Sequence, residues 1–178
     1  MKGIDKSRII FVEGETECSL FQKLKARGTL HAKKVVKKNF WCDDIKKYSI
    51  SIPNKSDLIV VFDTDAKHAP DRFIANINYL TSRKHSVFLL QQTSNFEEEL
   101  AYACSVSAKK LIQHFCKSKT SGVNDFKRDF ISCNNQVEKL VALGMNKNLW
   151  FSRELHRSIN CLNKHKSTFS HYFKVDLI

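Results

Sequence analysis

The sequence predicts an α/β fold: a central, mainly parallel sheet flanked by helices on both faces, with a C-terminal helical extension. Three observations carry this. Short apolar runs end at turn residues, helical patterns lie between those runs, and after Leu100 the patterning becomes helical throughout. With 178 residues, 42% of them hydrophobic, and only 5 Gly and 2 Pro, the chain can bury one sizeable core and is neither disordered nor a loop-rich scaffold.

The first run, Arg-Ile-Ile-Phe-Val-Glu over residues 8–13, stops at Gly14, as a buried strand does at a tight turn. A helix follows, with Glu15, Thr16 and Glu17 in its first turn and an apolar stripe of Leu20, Phe21 and Leu24. Lys25 and Arg27 occupy its last turn, and Gly28 closes it. A second strand is expected near 33–41, inside a basic stretch that carries Val35, Val36, Phe40 and Trp41. Residues 57–62, Asp-Leu-Ile-Val-Val-Phe, form the clearest buried strand and put Asp63-Thr64-Asp65 directly at its carboxyl end. Pro70 near N1, Asp71, and Phe73, Ile74, Ile77 and Leu80 predict a helix from about 70 to 83, and residues 87–90 a further strand. Helical patterns then cover 96–104, 107–117, 123–131, 135–143 and 148–158. The simplest division is a core of residues 1–100 and a helical extension, 101–178, packed on it as a single unit.

Thirty Lys and Arg against 18 Asp and Glu leave a net charge of +12, which favours a polyanionic partner, nucleic acid ahead of an acidic membrane surface. No apolar stretch approaches the length of a membrane span. Six scattered cysteines without a CxxC, and no evident secretory leader, predict a reducing, cytoplasmic setting in which the thiols act as small buried apolar residues. Cys161, His165 and His171 lack a fourth ligand and do not make a zinc site.

Ligands of open parallel sheets bind at the carboxyl ends of the strands, where Glu13 and the Asp63/Asp65 pair are expected to converge. Carboxylates at i and i+2, joined by one from a neighbouring strand, supply oxygen ligands to a hard cation, Mg²⁺ or Mn²⁺. Glu17, one helical turn beyond Glu13, is aimed at the same crevice. The same Asp63-Thr64-Asp65 also reads as an ordinary loop and helix cap.

The two segments together, Ile-Ile-Phe-Val-Glu13-Gly14-Glu15-Thr16-Glu17 and Leu-Ile-Val-Val-Phe-Asp63-Thr64-Asp65, resemble the Toprim signature of a strand-end glutamate and a strand-end DxD. The form "VEGxTE" is closest to the overcoming-lysogenization-defect (OLD) and RloB-like Toprim proteins of bacterial anti-phage defence. The resemblance covers roughly residues 7–100. It implies a Toprim core in which Glu13 is a metal ligand or general acid/base, Glu17 a second ligand, and Asp63 and Asp65 the metal pair. Ser94-Asn95-Phe96-Glu97 resembles a segment that follows the next strand in RloB-like proteins and adds Glu97, whose other reading is a solvated first helical turn capped by Ser94 or Asn95. OLD-type nucleases also use a lysine beyond the DxD to stabilise phosphate charge. Lys127 is the preferred candidate and Arg153 the other, although among 30 basic residues a solvated helix face is the commoner role of any single one. The family further implies an ATPase or sensor partner on another chain. Primase and topoisomerase Toprims often carry a glycine shortly after the DxD; here Ala66-Lys67-His68 follows, and there is no P-loop, so neither strand passage nor ATP hydrolysis is expected.

Lys33, Lys34, Lys37 and Lys38, with Phe40 and Trp41 interleaved, read as a nucleic-acid-binding surface that stacks bases, or as an edge strand blunted by lysine. Phe169, Tyr172 and Phe173 read as core or partner contact. Three functions fit: a Mg²⁺-dependent Toprim endonuclease acting on DNA or RNA in anti-phage defence; a Rossmann-like phosphatase or phosphoacceptor using Asp63; and a non-catalytic basic subunit that binds nucleic acid or a partner. Homo-oligomerisation stays open.

Overall fold

The apolar runs become four strands, β1 (Arg8–Val12), β2 (Lys34–Lys37), β3 (Asp57–Phe62) and β4 (Ser86–Gln91), in a computed structural model that describes residues 7–64, 70–92, 94–116, 122–145 and 149–171. All pairings are parallel and the order is β2-β1-β3-β4, with Ile10 beside Val35 on one side and Ile59 on the other, and Ile59 beside Phe88. Helices α1 (Glu15–Ala26), α2 (Lys46–Ser49) and α3 (Pro70–Ser82) lie in the connections. After β4 come α4 (Phe96–Ala103), α5 (Ala108–Phe115), α6 (Val123–Ser132) and α7 (Gln136–Ala142). The expected α/β class, a Rossmann-like parallel sheet flanked by helices, is what the chain adopts.

Alternation along the strands sorts the core into two layers. Ile10, Val12, Ile59, Val61 and Leu90 face α1 through Leu20, Phe21 and Leu24, and the same cluster takes in Phe96, Leu100, Phe126, Phe130 and Trp150. The helices after β4 thus share one core with α1 instead of forming their own. Ile9, Phe11, Leu58, Val60 and Phe62 face the other way, onto Phe73, Ile77 and Leu80 of α3 and onto Leu155, Ile159 and Leu162 near the C-terminus. The C-terminal segment therefore closes the face that α4–α7 leave open. Phe169 is core, packed edge-on against Phe21 and Trp150; Tyr172 and Phe173 lie outside the described residues.

Local signals set the helix ends. Gly28, at φ +73°, terminates α1, with Gly28 N–H donating to the Lys25 carbonyl (3.0 Å) and Thr29 N–H to the Leu24 carbonyl (3.2 Å), the paired bonds of a Schellman end. Asn95 Oδ1 accepts from Glu98 N–H (3.0 Å) and Ser107 Oγ from Lys110 N–H (3.2 Å), capping α4 and α5.

The expected helix over 148–158 does not form. Trp150 takes φ +45°, no regular element covers 151–156, and a 3-10 segment runs over Arg157–His165. Side chains from other segments hold the backbone donors of this stretch: Trp150 N–H donates to Glu99 Oε1, Ser152 N–H to Thr168 Oγ1 (3.1 Å), and His156 N–H to Gln91 Oε1 (2.7 Å), the last two being groups a helix would have paired internally. The basic strand is shorter than the expected 33–41, and α2 carried no sequence signal that was read.

Phe40 and Trp41 are buried, against the expectation that they stack bases. Phe40 packs on Phe11 and Phe73, and Trp41 on Phe62 and Phe73. Asn76 of α3 fixes the turn that delivers them: its Nδ2 donates to the Phe40 and Asp43 carbonyls (2.9 and 2.8 Å) and its Oδ1 accepts from Ile45 N–H (3.2 Å).

Of the six free cysteines, Cys104 and Cys116 are buried and Cys18 and Cys133 half-buried, whereas Cys42 and Cys161 are exposed, which corrects the expectation for those two. Burial pushes the Cys104 thiol up to about 11, so it packs as an inert apolar group. Among the described residues no helix is long and apolar enough to cross a membrane.

Candidate active site

Sheet order β2-β1-β3-β4 puts the topological switch point between β1 and β3: the chain leaves β1 for one edge and β3 for the other, opening a crevice at their carboxyl ends. Glu13 is the first residue past β1 and Asp63 the first past β3. Across the switch point Asp63 N–H donates to Glu13 Oε2 (3.2 Å), and Asn39 Nδ2 donates to Glu13 Oε1. Trp41 Nε1–H donates to the Asp63 carbonyl (3.2 Å). Asn39 is held in turn, its Oδ1 accepting from Trp41 N–H (2.9 Å) and Cys42 N–H (3.2 Å). The carboxylate of Glu13 and the backbone of Asp63 are thus locked to each other and to the turn at 39–43. Asp65 lies outside the described residues.

Glu17 occupies the third position of α1 and is only 5% exposed. Its carboxylate folds back over Gly14, where an added Cβ would meet Glu17 Oε2 at 2.6 Å. Gly14 has φ −116°, open to any residue, so the glycine is required by this close approach and not by backbone conformation. Gly14→Ala should displace the Glu17 carboxylate at a cost of about 1–3 kcal/mol. Adding Glu17→Ala to it should return most of the lost thermal stability, whereas additive losses in melting temperature would show that the two residues do not compete for space.

Glu97 of α4 is equally buried, not in a solvated turn, and lies close enough for its charge to act on Glu17. Lys127 of α6 reaches the same place, its ammonium 3.7 Å from Glu97 Oε1 and half exposed. Gln92, fully buried just past β4, donates from Nε2 to Glu17 Oε1 (3.2 Å). The structure therefore brings Glu17, Glu97 and Lys127 together beside the Glu13–Asp63 pair, with Asn39, Trp41 and Gln92 as members that went unread in the sequence. Their only signal was an amide or indole next to a strand or turn, which by itself names no role.

Burial raises the Glu17 carboxyl above its ordinary range, and the Glu97 charge adds to this. A backbone hydrogen bond, the Gln92 amide and the Lys127 ammonium act the other way. A carboxyl raised on folding contributes stability that is complete below the unfolded value, about 4.3, and is lost as pH rises through the folded one. In chelator-treated protein, Glu17→Gln should melt above the parent at pH 8, with the gap closing toward about pH 4. A gap independent of pH would mean that Glu17 is not the titrating group.

Arg153 is placed elsewhere. Its guanidinium donates to the buried Glu99 carboxylate (Nη1–Oε2 2.6 Å), to the Gln91 carbonyl (2.8 Å), and lies over the Tyr102 ring. It is held in an ion pair with a buried carboxylate. Lys33 and Lys34 are exposed along edge strand β2, Lys37 is paired with Glu15, and Lys38 lies 3.9 Å from Asp43. Two of the four lysines therefore already have acidic neighbours.

Among the described residues no three His, Cys, Asp or Glu side chains form a complete metal-holding group. The Glu13 carboxylate meets the backbone N–H of Asp63, and Glu17 and Glu97 are two buried carboxylates close enough for the charge of one to act on the other. Their donor chemistry fits a hard cation: all donors are oxygens, and Glu97 Oε1 and Gln92 Oε1 are buried without a hydrogen-bond partner. The chain matches no family model, no curated protein and no solved structure.

Proposed function

We propose that the chain is a Mg²⁺- or Mn²⁺-dependent nuclease of Toprim type that hydrolyses phosphodiester bonds in DNA or RNA, as an effector of anti-phage defence. The observation that carries this reading is the hydrogen-bonded meeting of Glu13 and Asp63 at the sheet's switch point, with two buried glutamates and Lys127 beside it. Glu13, Asp63 and Asp65, with Glu17 and Glu97, would hold the cation, which when bound supplies Lewis-acid polarisation of the phosphoryl oxygens and a more acidic water.

The residues of the chain do the rest. Asn39 and the Asp63 N–H hold the Glu13 carboxylate in one orientation as metal ligand or proton acceptor. The half-exposed Lys127 ammonium can turn from Glu97 toward a developing phosphate charge. Exposed Lys33 and Lys34, and the surplus of +12, favour the polyanion. An ATPase or sensor on another chain would supply activation, in a cytoplasmic setting.

A second reading, a basic subunit that binds nucleic acid without cleaving it, is favoured by the absence of a complete metal-holding group among the described side chains. Incubation with plasmid, single-stranded DNA and tRNA in Mg²⁺, Mn²⁺ or EDTA separates the two. Cleavage abolished by EDTA supports the nuclease, and salt-sensitive binding without turnover in any metal supports the subunit.

A further inference from the structure

The cluster around Glu17 has a feature that the paired carboxylates do not explain. Gln92 is fully buried, and its two amide ends have unequal surroundings: Nε2 donates to Glu17 Oε1, while Oε1 is buried with no hydrogen-bond partner. In this orientation Glu17 accepts from the NH₂ end, and the carbonyl end is left without a donor among the described residues. A buried carbonyl oxygen in that position costs free energy unless something electropositive meets it. Glu97 Oε1 is in the same condition, with the Lys127 ammonium 3.7 Å away. When ionised, Glu17 and Glu97 bring two negative charges, and among the described residues Lys127 stands against them on a side chain half in solvent.

The backbone makes the position of Gln92 rigid. Its N–H donates to the Phe62 carbonyl (2.9 Å), extending the β3–β4 ladder one step beyond the strands, and Thr64 N–H donates to the Ser94 carbonyl (3.0 Å) one step further. Gln92 therefore stands at the carboxyl end of β4 as Asp63 does at that of β3.

Resting on the nuclease reading, we infer that Gln92 is a working part of the cation site. Its Nε2 positions the Glu17 carboxylate, and its Oε1 is a neutral oxygen ligand shared with Glu97. This extends the site from the β1/β3 switch point to β4, with an amide oxygen that adds no charge to an already crowded pair of carboxylates. A hard cation accepts such an oxygen, and it removes the charge deficit and the orphaned acceptors together.

The test is Mn²⁺ binding to the purified full chain, followed by the loss of the free-ion paramagnetic resonance signal, for the parent, Gln92→Leu and Gln92→Glu, with thermal melts as the check on folding. Gln92→Leu should weaken Mn²⁺ binding about tenfold or more. Gln92→Glu keeps an oxygen at the Oε1 position but removes the Nε2 donor to Glu17, so it should bind more tightly than Gln92→Leu. Equal affinity in all three overturns the inference and leaves the nuclease reading standing. Should Gln92→Leu fail to fold, Gln92→Met, which keeps the length and removes both amide ends, takes its place, and Mn²⁺ affinity equal to the parent's overturns the inference. A parent chain that binds no Mn²⁺ overturns the cation part of both.

Discussion

Asp63→Ala is expected to reduce divalent-cation-dependent cleavage by about a thousandfold or more, some 4 kcal/mol of transition-state stabilisation, with little change in melting temperature. The fold survives because the contacts that lock this position to Glu13 and Trp41 are made by the backbone N–H and carbonyl of Asp63, which alanine keeps. Only the carboxylate leaves the crevice. The measurement is cleavage of the preferred nucleic acid at saturating Mg²⁺, beside a thermal melt of the same preparation. Cleavage at the parental rate by well-folded Asp63→Ala would end the metal-nuclease reading. Loss of cleavage with loss of folding would be settled by Asp63→Asn, which retains the shape and removes the charge.

Arg153→Ala should be the most destabilising surface-proximal substitution, by about 3–5 kcal/mol. The reason is Glu99, whose side chain is wholly buried and also accepts from the Trp150 N–H. Without the arginine, a buried carboxylate loses its guanidinium partner. For a domain of this size the melting temperature should fall by roughly 10 °C. Glu99→Gln with Arg153→Met should lose much less than Arg153→Ala alone, because no buried charge is left unpaired. An Arg153→Ala protein that melts like the parent yet binds nucleic acid more weakly would make Arg153 a phosphate contact.

Arg153 also shows where reading from sequence stopped. The strands were legible because residues 8–12 and 57–62 are short apolar runs, too short for a helix, that each end at an acidic residue and a turn. Parallel pairing followed from the helices between them, and from that Glu13 and Asp63 as neighbours. What is set by side chains meeting across long separations was not legible. Gln92 reaches Glu17 over 75 positions and Asn39 reaches Glu13 over 26. A glutamine after a strand looks the same whether it is solvated or the floor of a site. Segment 148–158 has helical periodicity, and acceptors from distant positions, Glu99, Thr168 and Gln91, take its backbone donors instead. Phe40 and Trp41 misled for a related reason: lysines around aromatic residues describe a nucleic-acid surface and the end of an edge strand equally well, and Asn76 decides for the latter by tying the turn to α3.

The all-parallel sheet also governs the order in which this molecule can assemble. No strand pair is a hairpin: Asp57 must find Ser86, Ile9 must find Lys34, and Arg8 must find Asp57 across the whole of α1, β2 and α2. Loop closure therefore favours the β3-α3-β4 and β1-α1-β2 units first, each still without a complete crevice. The β1–β3 junction, which unites them, is the longest-range pairing in the sheet and the one that brings Glu13 to Asp63. Either half of the chain can gather its own strands early, but the crevice exists only once the two halves have joined, so a partly folded or truncated chain carries the acids without the site.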